Sequence, residues 1–180
     1  MKKLCLLAFI VLIFSSKSNG QIASAGIGVN LGLGQIKGNS PSLASLSGSL
    51  MVDVTTTFWD ELTFRTGYHY SRKVEYFLPE NSRGKYYPFI KFYSFQVVIN
   101  QKMGEKLFLE EGLGIVYLND RTFSDTNDWN AGTIFSGLFG IDFRENESGF
   151  TLGAGAEYAV AFTNNNASYI AVKIQSFYYF

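Results

Sequence analysis

Tyr169-Ile170-Ala171-Val172-Lys173-Ile174-Gln175-Ser176-Phe177-Tyr178-Tyr179-Phe180 is the stretch whose reading decides the fold. Successive side chains in a strand point to opposite faces. Ile170, Val172, Ile174, Ser176, Tyr178 and Phe180 then form one face, apolar but for a single serine. Ala171, Lys173, Gln175, Phe177 and Tyr179 form the other, which mixes charge, amide and aromatics.

The same period of two recurs upstream, and over such lengths it argues strand. Ile27, Val29, Leu31 and Leu33 alternate with a glycine-rich set running from Gly26 to Gly34. A second strand sets Leu46, Leu50, Val52 and Val54 against Ser45, Ser47, Ser49, Met51, Asp53 and Thr55. A third sets Leu62, Phe64, Thr66, Tyr68 and Tyr70 against Thr63, Arg65, Gly67, His69 and Ser71. The fourth carries Tyr93, Phe95, Val97 and Ile99, and the fifth runs from Leu107 to Leu118. Glu111 falls on the apolar face of that fifth strand, against the pattern. A bulge would re-aim it, and a shifted register is the alternative. The sixth strand carries Phe135, Phe139, Ile141 and Phe143, opposite a face that ends in Asp142 and Arg144. The seventh runs from Phe150 to Phe162. With the last strand these make eight, and no helical pattern follows residue 20.

The N-terminus reads differently. Met1-Lys2-Lys3 is a basic start, Leu4 to Phe14 an apolar run, and Ser15 to Gly20 a stretch of mostly small or polar residues. That is the layout of a secretory signal peptide. Cleavage is expected after Gly20, so residues 1–20 are the signal and 21–180 the mature domain. The apolar run is too short to span ~30 Å of hydrocarbon as a helix. Cys5, the chain's one cysteine, leaves with the signal, and with it any disulfide or thiol chemistry. The 15 Lys and Arg drop to 12 once Lys2, Lys3 and Lys17 go, against 15 Asp and Glu, so the remainder carries about −3. That balance excludes the basic face of a nucleic-acid binder.

Two architectures fit eight such strands. A soluble ligand-binding barrel would hold its apolar face inward, whereas a transmembrane barrel holds it outward. Here the polar face is rich in Gly and Ser and carries Asp53, Arg65, Glu110, Asp142, Arg144, Glu157 and Lys173, with His69. Small residues and near-balanced charges suit the filled interior of an eight-stranded barrel. A solvated exterior would carry more Lys and Glu than Gly. Asp53 is expected about opposite Arg65, and Glu157 opposite Lys173. Phe58 and Trp59 fall at one edge of the apolar belt, and Tyr68, Tyr70, Tyr87 and Tyr93 at the other, as in an aromatic girdle. We therefore expect an all-β, eight-stranded, antiparallel, up-and-down transmembrane β-barrel. Connections near 57–61, 102–106 and 145–148 are expected to be short, and those near 36–42, 72–88, 119–132 and 163–168 longer. Short periplasmic turns and longer outer loops are the rule for bacterial barrels, which puts both chain ends in the periplasm.

Phe64-Arg65-Thr66-Gly67-Tyr68-His69-Tyr70-Ser71 and Leu109-Glu110-Glu111-Gly112-Leu113-Gly114 resemble the third and fifth strands of the small outer-membrane β-barrel family of Gram-negative envelopes. Ser94-Phe95-Gln96 stands where such families often carry Glu-Ile-Pro, so the subfamily pattern is not met. The final strand resembles the C-terminal strand of these proteins, whose terminal aromatic is read by the barrel-insertion machinery. The resemblance implies an outer-membrane location, Tyr178 and Phe180 as the assembly signal, and outer-membrane lipid and lipopolysaccharide as surroundings. It assigns no catalytic residue, cofactor or metal, and none is expected.

An enzymatic alternative rests on His69 and Ser71. The spacing places a base and a nucleophile on one strand face, and Glu75 and Glu80 are the candidate acids. Lipid A deacylases, also small outer-membrane barrels, use a similar His-x-Ser pair. Arg72 stands where those enzymes place Asn, and the pair falls early in the chain and faces the interior. Asp125-Thr126-Asn127-Asp128 resembles part of a calcium loop but lacks its Gly and distal Glu, and reads as a solvated loop. The segment Arg72 to Pro88 mixes Arg72, Lys73, Arg83 and Lys85 with Tyr76, Phe77, Tyr86 and Tyr87. It is the candidate outer binding surface, for a sugar, a lipopolysaccharide phosphate or a protein. A transport pore is not expected, because Phe108, Leu138, Phe177 and Tyr179 should fill the interior.

Overall fold

The computed structural model describes residues 22–57, 62–78, 88–123, 127–145, 148–162 and 166–180. They form β1 (Ile22–Lys37), β2 (Leu43–Thr56), β3 (Leu62–Lys73), β4 (Phe89–Met103), β5 (Leu107–Arg121), β6 (Asp128–Asp142), β7 (Gly149–Ala161) and β8 (Ser168–Tyr179). Every strand pairs antiparallel with its sequence neighbour, and β8 returns to β1, so the sheet closes. Closure satisfies every edge N–H and C=O, which hydrocarbon requires. A single 3-10 turn, Val74–Phe77, follows β3.

The alternation predicted from the sequence sorts inside from outside. In β8, Tyr169, Ala171, Lys173, Gln175, Phe177 and Tyr179 are buried. Val172 between them is 69% exposed and Ile174 62%. Leu31, Leu50, Ile115, Phe135 and Phe150 continue the same apolar exterior around the barrel. The seam between β1 and β8 depends on glycine. Gly28 faces Phe177 and Gly26 faces Tyr179 in the register. A Cβ on Gly28 would stand 2.6 Å from three ring atoms of Phe177. The ring occupies the space that the missing side chain leaves.

The strand ends differ from expectation in three places. β5 continues to Arg121 and β6 begins at Asp128, so much of the expected polar loop 119–132 is ladder. Asn119 and Asp120 are inherently poor strand formers, and their pairing with Trp129 and Asp128 holds them extended. β4 begins at Phe89 rather than near Tyr93. Arg72 and Lys73, read as loop, belong to β3 and pair with Leu46 and Ser45. The alternation of short and long connections is consequently weaker than expected. Only residues 74–88 form a distinctly long connection.

Glu111 is not re-aimed by a bulge. The ladders run unbroken through Ile99↔Glu111 and Glu111↔Gly137, and Glu111 is exposed on the outer face.

Candidate functional site

We call the end of the barrel bearing connections 38–42, 74–88, 122–127 and 162–167 the loop end, and the opposite one the turn end. The interior is layered between them. At the loop end it is apolar: Ile36, Ile90, Phe92, Val116, Leu118 and Ile134 pack with Ala159, Ala161, Ala167, Tyr169 and Ala171. The sequence reading missed this plug. Its members sit on inward positions of strand ends that were read as loops, or on otherwise polar faces.

Below the plug lies the first charged layer. Lys173 Nζ donates to Glu157 Oε2 at 2.8 Å, and both side chains are essentially inaccessible. Glu157 Oε1 stands 3.2 Å from His69 Nδ1. The His69 ring lies flat on Phe92, centroids 4.3 Å apart, with Ser49 Oγ 2.7 Å from Nδ1 and Ser94 Oγ 2.9 Å from Nε2.

The second layer is built on Arg65, which is fully buried. Its Nε and Nη2 donate to the two oxygens of Asp53, each at 2.8 Å. Nη1 and Nη2 donate to Glu110 Oε1 and Oε2 at 2.5 and 3.0 Å. This is a double fork, the geometry that makes Arg–carboxylate pairs strong and directional. Gln175 Nε2 donates to Glu110 Oε1 at 3.2 Å, and Tyr179 Oη donates to Asp53 Oδ2 at 2.9 Å. Phe177 lies under the guanidinium, its centroid 4.4 Å from Cζ. Asp53 and Arg65 are direct cross-strand partners.

Asp142 and Arg144 were grouped with the interior charges, but they sit at its turn-end mouth. β6 ends at Asp142, so Arg144 leaves the strand and folds back. Its Nε donates to Asp142 Oδ1 at 2.9 Å, and its guanidinium caps the Tyr179 ring at 4.7 Å.

The His-x-Ser pair does not assemble as a catalytic pair. Ser71 Oγ donates to Ser45 Oγ at 3.0 Å, not to His69. His69 is engaged at both ring nitrogens, and both residues are sealed inside. Glu75 lies outside the barrel, bonded to Lys73 Nζ at 2.5 Å.

Of the expected outer surface, Arg72, Lys73, Tyr76 and Phe77 are described. Arg72 takes an outward strand position but is not the exposed binding residue expected: it is only 8% exposed, covered by Tyr76, whose ring centroid lies 3.0 Å from Cζ. Phe77 is exposed and meets Tyr76 edge-on. Arg83, Lys85, Tyr86, Tyr87, Glu80, Phe58, Trp59, Asp125 and residues 1–20 lie outside the described residues. The calcium-like fragment keeps Asn127, whose Oδ1 accepts from Asn119 Nδ2 at 3.1 Å.

Aromatic clusters stand at both ends of the exterior. At the loop end Tyr93 packs on Tyr68 and stacks on Trp129, which stacks in turn on Tyr117. At the turn end Tyr178 packs between Phe150 and Phe180. Phe180 lies one residue past β8, yet its N–H still donates to the Ala25 carbonyl at 2.9 Å.

A closed barrel of eight strands, apolar outside and ionic inside, defines the class: its fold is that of the small eight-stranded outer-membrane β-barrels. Solved structures agree. The chain superposes on Neisserial surface protein A with a TM-score of 0.63 at 9% identity, covering 86% of this chain and 96% of that one. For Ail of Yersinia pestis, solved with the heparin analogue sucrose octasulfate, the TM-score is 0.53 at 12% identity, over 87% and 98% of the two chains. For the N-terminal barrel domain of Pseudomonas aeruginosa OprF it is 0.50 at 11%, over 86% and 97%. At such identities the likeness is one of fold. No protein-family model matches the chain, and no curated protein sequence does.

Proposed function

We propose that residues 1–20 direct export and are removed, and that 21–180 form an integral outer-membrane barrel with both ends in the periplasm. Its lumen is closed, and its role is structural or surface-binding through the loop end. The observation that carries this reading is the inversion of polarity. Arg65, Asp53, Glu110, Glu157 and Lys173 are buried inside, while Leu31, Val172 and Ile174 stand exposed outside. Such an exterior is stable against hydrocarbon and not against water.

Occlusion rests on the layering. An ion crossing the lumen would have to part the apolar plug and then two bonded charge layers. Tyr178 and Phe180 are the residues offered to the insertion machinery, and lipid and lipopolysaccharide are the surroundings of the belt. Ail, of the same fold, was solved holding a sulfated sugar, which supports anionic surface ligands for barrels of this kind. Here Arg83 and Lys85 are the candidate matching charges, since Arg72 is covered by the Tyr76 ring and Lys73 is bonded to Glu75.

The test is refolding of the mature chain into detergent and lipid vesicles. A heat-modifiable gel shift and the absence of steady conductance in planar bilayers are expected. Reproducible ohmic channels would overturn the closed lumen, and an unshifted band would overturn the membrane barrel itself.

A further inference from the structure

Glu111 is out of place on the barrel's exterior. By strand alternation it is, among the described residues, the one charged side chain pointing outward between the loop-end cations Lys37, Arg72, Lys91 and Arg121 and the turn end. Leu107 and Leu109 lie between it and the turn end, and Leu113 and Ile115 continue the belt above it. Its ladder neighbours Ile99 and Gly137 offer no side-chain donor. Among the described residues it has no hydrogen-bond or ion-pair partner. An ionisable group within a membrane span is costly and calls for a partner.

The surface beside Glu111 is hollow. The row through it reads Leu62, Ile99, Glu111, Gly137, Ala156 and Val172. Ala154 is the next outward residue of β7 toward the turn end. Nothing stands within 4 Å of where a Cβ on Gly137 would be. Phe135 and Phe139, both about half exposed, frame the gap along β6. Small residues on a lipid-facing surface let a neighbouring backbone approach closely. The hollow therefore brings a neighbour within reach of a carboxylate that has no partner of its own.

We propose that Glu111 and this hollow of β5, β6 and β7 are the contact with a second copy of this chain. Two copies inserted the same way are related by a twofold axis along the membrane normal, and like residues near the axis meet at equal depth. A second copy is therefore a neighbour certain to carry a polar group where Glu111 lies. Carboxyls are self-complementary: one that holds a proton donates its O–H to an oxygen of the other. A different neighbour bearing Lys or Arg could meet the same need, but a cation at this depth is itself costly. Glu111 burdens the lone barrel and is satisfied in the pair. This contact presupposes the membrane-barrel reading above, since in water an exposed carboxylate needs no partner.

The test uses the refolded mature chain in lipid vesicles. The chain's one cysteine is Cys5, so Glu105→Cys, on the exposed turn between β4 and β5, takes donor or acceptor dye at a single site. Energy transfer is followed as lipid dilutes the protein. Saturable transfer, reversed by excess unlabelled chain, is expected. Glu111→Leu should weaken association by about threefold to thirtyfold, the range for polar contacts between membrane segments. Gly137→Leu, which fills the hollow and leaves the carboxyl, should weaken it too. Glu111→Gln should keep it, because an amide also donates and accepts. Each variant must keep the heat-modifiable band, which reads folding separately. A folded parent whose transfer never exceeds that of random crowding overturns the pair. So does parent-like association of Glu111→Leu or of Gly137→Leu, or a Glu111→Gln variant as weak as Glu111→Leu. A chain that never shows the band instead overturns the membrane-barrel reading.

Discussion

Lys173 and Glu157 are diagonal neighbours across the last hairpin, not directly opposite ones. In the register Lys173 faces Gly155, and Glu157 faces Ala171. The lysine stem crosses the space over Gly155 to place Nζ 2.8 Å from Glu157 Oε2. A glycine opposite each buried long side chain recurs at this seam, because Gly32 faces Lys173 on its other flank.

Lys173→Met should therefore destabilise the barrel by ~3–5 kcal/mol, the range for stranding one partner of a buried ion pair. Urea titration of folding in lipid vesicles measures it. The double variant Lys173→Met with Glu157→Leu should recover much of the loss, since it leaves no orphaned charge. Parent-like stability of the single variant would contradict the assigned interior.

Gly28→Val tests closure. Its side chain would meet the buried Phe177 ring, which is fixed under Arg65. A cost of ~1–3 kcal/mol is expected from overpacking, seen as a smaller heat-modifiable fraction. The same change at Gly48, on the outer face, meets nothing closer than 3.7 Å and should be mild.

Val172→Arg should cost ~2–4 kcal/mol if the residue lies near the bilayer midplane. It is 69% exposed on the apolar face, between Leu33 and Ala156. Gln175→Arg is not the mild contrast an inward position suggests, because Gln175 is 3% exposed and within 3.5 Å of Arg65. The interior is packed solid there, so a second guanidinium would meet the first. A better contrast is Val172→Met, which should be near neutral where Lys173→Met is not. Vesicle folding titrations of the two methionine variants decide it, and equal losses would reverse the faces.

The eight strands, their faces and the pairing of Asp53 with Arg65 were legible because alternation is a local signal and a one-residue slip would invert it. The bond from Arg65 to Glu110, and that from Tyr179 to Asp53, were not. They join residues on strands that do not neighbour one another across the lumen, so no local pattern carries them. The loop-end plug was hidden for another reason. Ile90 and Phe92 fall between the charged 72–88 segment and the strand read from Tyr93, and Leu118 closes its strand just before an Asn/Asp-rich segment; the strands extend through both places because the ladder satisfies their backbone.

Glu110 and Glu111 make the sharpest test, being adjacent carboxylates on opposite faces of β5. Glu110 is 3% exposed and holds half of the Arg65 fork. Glu111 points outward between Leu109 and Leu113 along its strand, with Ile99 and Gly137 to either side. No basic residue is placed beside it on those neighbouring strands. A carboxylate on the lipid face is unfavourable by less than the ~2–4 kcal/mol of Arg or Lys at the midplane. Glu111→Leu should therefore raise stability, by about 1 kcal/mol at a site four residues from the start of β5. Glu110→Leu should lower it by ~3–5 kcal/mol, because Arg65 is left with one carboxylate where two had compensated its burial. Urea titrations in vesicles give both numbers. Shifts of the same sign would mean that β5 does not present these two residues to opposite solvents, and the unbroken register through Glu111 would have to be abandoned.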